Sequence, residues 1–262
     1  MIDLKGHAAL VTGSSKGVGR SIAEAYAAAG ADVVIHGRAL GREAKEVLER
    51  CRSHDVSASF VPGDLSKSTE PVVTDLFKAA IAAQPNLDIL VNNAGQYFDV
   101  PFEQMTTELF GKTMQLNVTS AYFLTQRFAN HWMANNIAGR VLFIGSINGQ
   151  QAEPVSTAYD ISKGAVEMMV KTLAVTLAPR NIRVNGLAPG VVLTPQTNWI
   201  IDGNPEKAEW VRLHTPNRQI PHADVCGPGA VYLVSDAAEH VHGHMLMIDG
   251  GISAWQYPES PA

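Results

Sequence analysis

An α/β fold built on a doubly wound parallel sheet is predicted by three features of the sequence. Short apolar, β-rich runs alternate with helical segments along the whole chain. Several of those runs are continuously apolar, such as Ile89-Leu90-Val91 and Val141-Leu142-Phe143-Ile144, as expected of strands covered on both faces. A glycine cluster, Gly13, Gly17 and Gly19, lies between the first strand and the first helix.

The strand candidates are residues 7–12, 32–36, 58–62, 87–92, 140–146, 182–188 and 245–248. Helical segments are expected over 20–29, stopped by Gly30, and over 43–53, 69–83, 107–135, 157–178 and 224–235. The segment 107–135 is long enough to hold a kink. The β-α-β-α order implies right-handed crossovers. Residues 194–221, with Pro205, Pro216, Pro221, Trp199, Trp210 and His214, break the rhythm and are expected to form a substrate lid.

The bulk properties narrow the options. The chain has 262 residues, 46% of them hydrophobic, enough for one large core without repeats or linkers. A single domain over 1–262 is expected. A net charge of −5 argues against nucleic acid as the main partner. No run approaches the ~18 apolar residues of a membrane span, and no secretory signal is evident, so a cytoplasmic enzyme is expected. Cys51 and Cys226 read as ordinary thiols of a reducing compartment. His240, His242 and His244 alternate, with His214 and His222 in the lid region, but no acid or cysteine completes a set, so no metal site is expected.

The stretch Thr12-Gly13-Ser14-Ser15-Lys16-Gly17-Val18-Gly19 suits a pyrophosphate. Gly13 can make the tight turn, Gly17 and Gly19 allow close approach, and the helix N-terminus offers free N–H groups. After the second strand comes His36-Gly37-Arg38, with no acid to bind a ribose 2′-hydroxyl. Arg38 can stack on adenine and fork onto a 2′-phosphate, with Lys16 as a second cation, so NADP(H) is expected over NAD(H). Asp64, before Leu65, either accepts from the adenine amino group or caps a turn.

Tyr159 and Lys163 share one helix face. Carbonyl reduction needs a proton donor on oxygen, and a phenol suits that role near neutral pH if its pKa falls by about 3 units. Lys163 is placed to supply part of that stabilisation. Ser146 can hold the substrate oxygen or merely end a strand. Asn117 can link Lys163 to solvent through water or mark a helix irregularity.

With Thr12–Gly19, Asn92-Asn93-Ala94-Gly95, Asn117, Ser146, Tyr159, Lys163 and Pro189-Gly190 in order, the chain resembles the short-chain dehydrogenase/reductase family, nearly to its end at Ile248-Asp249-Gly250-Gly251. The resemblance implies a Rossmann-type domain with a seven-stranded parallel sheet. It implies Tyr159 as acid/base, Lys163 lowering its pKa and binding the nicotinamide ribose, Ser146 orienting substrate and Asn117 supporting a proton relay. It places Gly13, Ser15, Lys16, Gly17, Val18, Gly19, Arg38, Asp64, Leu65, Asn93, Ala94, Gly95, Pro189, Gly190, Val192 and Thr194 at the cofactor. It also implies a homotetramer, or a dimer, through the two long helices, with Ala174, Val175 and Leu177 on the shared face and Trp255 and Tyr257 in a crossing tail.

The local wording around Tyr159 and at Gly250-Gly251-Ile252 resembles members acting on gluconate, sugars and polyols. Asn148, Gln150, Gln151, Gln196 and Asn198 could receive such a small polar substrate. It also resembles 3-oxoacyl-carrier-protein reductases, for which Arg127 and Lys171 are the candidate docking cations. A non-catalytic NADP(H)-binding protein is the remaining alternative.

Overall fold

The computed structural model describes residues 2–67, 69–195, 197–198 and 203–255. Seven strands form one sheet: β1 (Ala8–Val11), β2 (Asp32–Gly37), β3 (Ala58–Pro62), β4 (Ile89–Asn92), β5 (Gly139–Ile144), β6 (Ile182–Pro189) and β7 (Met245–Ile248). Their order is β3-β2-β1-β4-β5-β6-β7 and every pair is parallel. The chain winds outward from β1 through β2 to β3, then returns to β4 on the other side of β1. The order reverses between β1 and β4, which is where a doubly wound sheet opens a crevice beyond its strand ends.

Side chains alternate across the strands as the twofold pleat requires. Ala8 and Leu10 of β1 join Leu90, Val141 and Phe143 on one face, whereas Ala9 and Val11 join Ile89, Val91, Leu142 and Ile144 on the other. The first face is covered by α3 (Thr69–Ala83), α5 (Ser120–Asn135) and α6 (Thr157–Leu177), through Leu76, Phe128, Trp132 and Val170. The second is covered by α1 (Gly17–Ala28), α2 (Arg42–Arg52) and α8 (Cys226–Val234), through Ile22, Tyr26, Val47 and Ala230. Trp132 is fully buried and its indole N–H donates to Leu87 O at 2.7 Å. A Cβ on Gly139 would stand 2.1 Å from the Trp132 ring, so the start of β5 is a glycine because the indole lies on it.

Most predicted elements are present with ends moved by a few residues. The segment expected as a long helix with room for a kink over 107–135 is continuous and holds a π turn (Gln115–Thr119) between α4 (Thr107–Met114) and α5. The first helix starts at Gly17 rather than Arg20, which puts the glycine loop directly against its first turn. The last strand-to-helix passage begins with a short 3-10 turn before α8. Within the lid region, α7 (Pro205–His214) is capped by Asn204, whose side chain accepts from Lys207 N–H at 2.9 Å. Gln196, Trp199 and Tyr257 lie outside the described residues.

Cys51 and Cys226 are both buried and unbridged. His240, His242 and His244 are exposed, and no group of three or more His, Cys, Asp or Glu suited to a metal ion occurs among the described residues. No helix among those residues is long and apolar enough to cross a membrane.

Candidate active site

The glycine loop is locked to the sheet by side-chain bonds, among them those of Ser14 and His36, which the sequence reading gave no role. Thr12 Oγ1 donates to Val91 O (3.1 Å) and accepts the N–H groups of Asn93 (2.9 Å) and Ala94 (3.0 Å). Asn93 Nδ2 donates back to Thr12 O (2.8 Å) and Gly13 O (3.1 Å). Ser14 Oγ donates to Val11 O (2.6 Å) and accepts His36 N–H (3.0 Å), while Gly13 N–H donates to His36 Nδ1 (3.1 Å). Burial lowers the His36 pKa to about 4, so the ring stays neutral and keeps this acceptor. Apart from the local Ser14–Val11 bond, the partners are 22 to 82 residues apart in sequence, which is why the local pattern hides them.

Gly13 has φ +63°, and a Cβ on Gly19 would meet Asn93 Nδ2 at 2.3 Å and Gly13 O at 2.6 Å. Both positions therefore require glycine. The N-cap residue of α1, Lys16, makes no side-chain cap, which leaves the first-turn N–H groups for a ligand. A cleft of about 500 Å³ opens there, lined among others by Ser15, Lys16, Gly17, Arg20, Thr194 and Asn198. These donors and this space fit a pyrophosphate. Arg38 is exposed beyond the cleft, past the end of β2, where its charge reaches Asp64. Asp64 Oδ1 accepts from Ser66 N–H (3.2 Å) and Ser66 Oγ (2.6 Å), so of its two predicted roles the turn cap is the one the structure displays. Leu65, Val18 and Val192 serve as packing beneath this region. Gly95 abuts Asn117, with a Cβ there 3.3 Å from Asn117 Oδ1.

Across the crevice, Ser146 stands just past β5 in extended conformation. Its hydroxyl accepts Asn148 N–H at 3.2 Å, capping a 3-10 turn, and also faces Tyr159. Tyr159 and Lys163 lie one turn apart on α6, with Nζ 5.5 Å from the ring centroid. Lys163 is 7% exposed and donates to Ile144 O at 2.8 Å, at the end of β5. Pro189 ends β6, and Gly190 approaches Asp249 so closely that a Cβ would lie 2.9 Å from its Cα. Thr194 joins Thr197, and Leu193 bridges to His222, which ties the lid's start to the body.

Lys163 lies against the Tyr159 ring, and burial shifts both groups. Burial pushes the phenol up to about 12, Ser146 counteracts this in part, and the nearby carboxylates of Asp160 and Glu153 add to the rise. Burial also draws Lys163 down to about 8. The Asn117 side chain ties the chain after β4 to α6: Nδ2 donates to Gln96 O (2.9 Å) and Ser162 Oγ (3.0 Å), and Oδ1 accepts Gln96 N–H (2.9 Å). It sits in the π turn, where the helical ladder slips by one residue.

A family model described as enoyl-(acyl carrier protein) reductase matches residues 13–253. Glucose 1-dehydrogenase 2 of Bacillus subtilis (strain 168) is 34% identical over 255 residues, covering 97% of each chain. L-rhamnose 1-dehydrogenase (NADP(+)) of Thermoplasma acidophilum is 34% identical over 252 residues, 96% of this chain and 98% of the relative. Among solved structures, a gluconate 5-dehydrogenase from Burkholderia cenocepacia J2315 in complex with NADP and tartrate superposes with a TM-score of 0.90 at 30% identity, covering 97% of this chain and 98% of that one. With the sheet order and a family match over nearly the whole chain, the protein belongs to the short-chain dehydrogenase/reductase family.

Proposed function

We propose that this oxidoreductase acting on CH–OH groups uses NADP(H) to interconvert a carbonyl and a secondary alcohol on a small sugar-type substrate, with Tyr159 as acid/base. The observation that carries the reading is the convergence of Ser146, Tyr159 and Lys163 at the strand ends beside the glycine loop. NADP(H) supplies or accepts the hydride when bound. Its pyrophosphate would rest on Gly13–Gly19 and the α1 N-terminus, and its 2′-phosphate within reach of Arg38 and Lys16. Gly95 would lie beside the adenosine ribose, and Gly190 and Thr194 would border the nicotinamide side.

Ser146 Oγ orients the reacting oxygen and Tyr159 passes it a proton. With a pKa of about 12 the resting phenol is protonated, which is the form that carbonyl reduction needs. In the reverse direction Tyr159 must act as a base, and the Ser146 hydroxyl and a protonated Lys163 are the groups of this chain that stabilise its phenolate. Asn117 is proposed as a positioning residue, since its bonds hold the chain after β4 against α6.

A homotetramer, with a dimer as the alternative, is part of the same proposal. Ile161, Met168 and Val175 are 54%, 55% and 80% exposed and recur every seven residues on α6, an unpaired apolar stripe. Ala174 and Leu177, expected on that face, are buried in the protein's own core. The carrier-protein alternative loses support because Arg127 is paired with Glu70 and Lys171 with Glu167.

The test is NADPH consumption and NADP+ reduction against aldoses, polyols, their ketones and 3-oxoacyl thioesters, with NAD(H) in parallel. Turnover of a sugar-type substrate with the phosphorylated cofactor preferred is expected. Turnover confined to acyl thioesters, or a preference for NAD(H), would overturn the reading.

A further inference from the structure

The crevice beside Tyr159 is bordered by the segments after β4, β5 and β6, residues 93–105, 145–161 and 190–195. Together they contain no lysine and no arginine, but four carboxylates: Asp99, Glu103, Glu153 and Asp160. Three of these gather around the tyrosine pair. The Tyr97 ring stands edge-on to Tyr159, with centroids 5.0 Å apart and planes at 89°. The Tyr97 hydroxyl donates to Asp99, lies 3.2 Å from Glu153 Oε2 and accepts from Ser156 Oγ at 3.1 Å. Asp160 accepts from Asn148 Nδ2 and from Glu153 N–H, both at 2.8 Å, which fixes the 147–153 loop against α6. The charges of Glu153 and Asp160 both reach the Tyr159 phenol. The cation packed against that ring, Lys163, is buried and donates to Ile144 O.

We infer that Asp99, Glu153 and Asp160 set the substrate's charge, so that the Tyr159 site takes an uncharged, hydroxyl-rich carbonyl or alcohol and turns away sugar acids, keto acids and sugar phosphates. The inference rests on the reading of Tyr159 as the residue at the reacting oxygen. Carboxylates accept hydrogen bonds from substrate hydroxyls, which suits an aldose or polyol. An anion entering the same mouth meets two or three like charges, and the three bordering segments hold no Lys or Arg to offset them apart from their neighbour Lys163. The relatives do not decide the matter, since by name they include enzymes of neutral glucose and rhamnose and of anionic gluconate.

The test compares pairs of like carbon skeleton in which one member carries a carboxylate: an aldose with its uronic acid, and ethyl acetoacetate with acetoacetate. In the wild type the neutral member is expected to have a kcat/KM about tenfold or more above its acid. Glu153→Gln and Asp99→Asn should narrow that ratio by raising turnover of the acid, while Glu153→Asp should restore it. Equal or better use of the acids by the wild type would overturn the inference and leave the proposed function intact. A neutral preference in the keto-ester pair with no sugar turnover would do the reverse. Tyrosinate absorbance provides a readout that needs no substrate, with Tyr159→Phe identifying the signal. Glu153→Gln should move the Tyr159 titration to lower pH, and an unmoved titration would also overturn the inference.

Discussion

On the β1–β2 side the crevice presents the main chain of the glycine loop, and its lining carries both signs of charge, Lys16, Arg20 and Arg50 with Glu24, Glu43 and Asp224. On the β5–β6 side it presents side chains, and the segments after the strands carry carboxylates without a lysine or arginine. The difference reflects what each side must do. A pyrophosphate is held by N–H groups that only a glycine-rich turn can bring close, so few side chains are involved. The proposed reaction asks for a hydroxyl and a phenol at fixed places, and that side offers Ser146 past a strand end and Tyr159 on a helix. Burial shifts titratable groups on both sides, His36 on the first and Tyr159 and Lys163 on the second.

Tyr159→Phe should break the chemical side alone. A loss of turnover of about 10³-fold is expected, within the range for removing an acid/base group, with NADPH affinity by fluorescence titration unchanged. Arg38→Asp should break the other side alone. It is expected to weaken NADPH by about 30-fold or more, the loss of a charge-assisted phosphate contact, and NADH by no more than a few-fold in the same titration. Gly19→Ala should sharpen the contrast, because its Cβ would collide with Asn93 and Gly13 O. We expect about tenfold poorer cofactor binding and a destabilisation of about 2 kcal/mol by urea titration, as for other overpacked sites.

Lys163→Met should show the cost of the chemical side. The folded chain holds Lys163 at about 8 against 10.5 for the free side chain. Below pH 8 folding forces a charge into the interior, and the penalty is complete. Between 8 and 10.5 only the unfolded chain keeps that proton, so wild-type stability recovers as pH rises. The variant is therefore expected to be more stable than wild type at pH 7, by about 2 kcal/mol, with the gain fading by pH 10.5. Urea titrations at the two ends of that window check it.

The fold was legible because each strand is a short apolar run bounded by turns, and the parallel sheet is implied by their two-sided burial. The glycine loop and Ser146, Tyr159 and Lys163 were legible because their spacing is itself the geometry. Thr12, Ser14 and His36 were not, since their partners Val91, Asn93 and Gly13 come together only when β1 is flanked by β2 and β4. Tyr97 escaped for the same reason, because its neighbours Glu153 and Tyr159 arrive from another crossover. The phenol's raised pKa was missed because composition does not report burial, the cause that dominates it.

The π turn at Gln115–Thr119 separates α4 from α5 without ending the helix. Such a turn amounts to one residue inserted into a helix, and each inserted residue rotates the downstream helix by about 100°. Losing any one residue there would let the helix run straight, yet it would swing Phe128 and Trp132 off the sheet and draw Asn117 away from Gln96 and Ser162. The length of this segment is thus constrained more tightly than its composition, and a one-residue deletion would do more damage than most single substitutions.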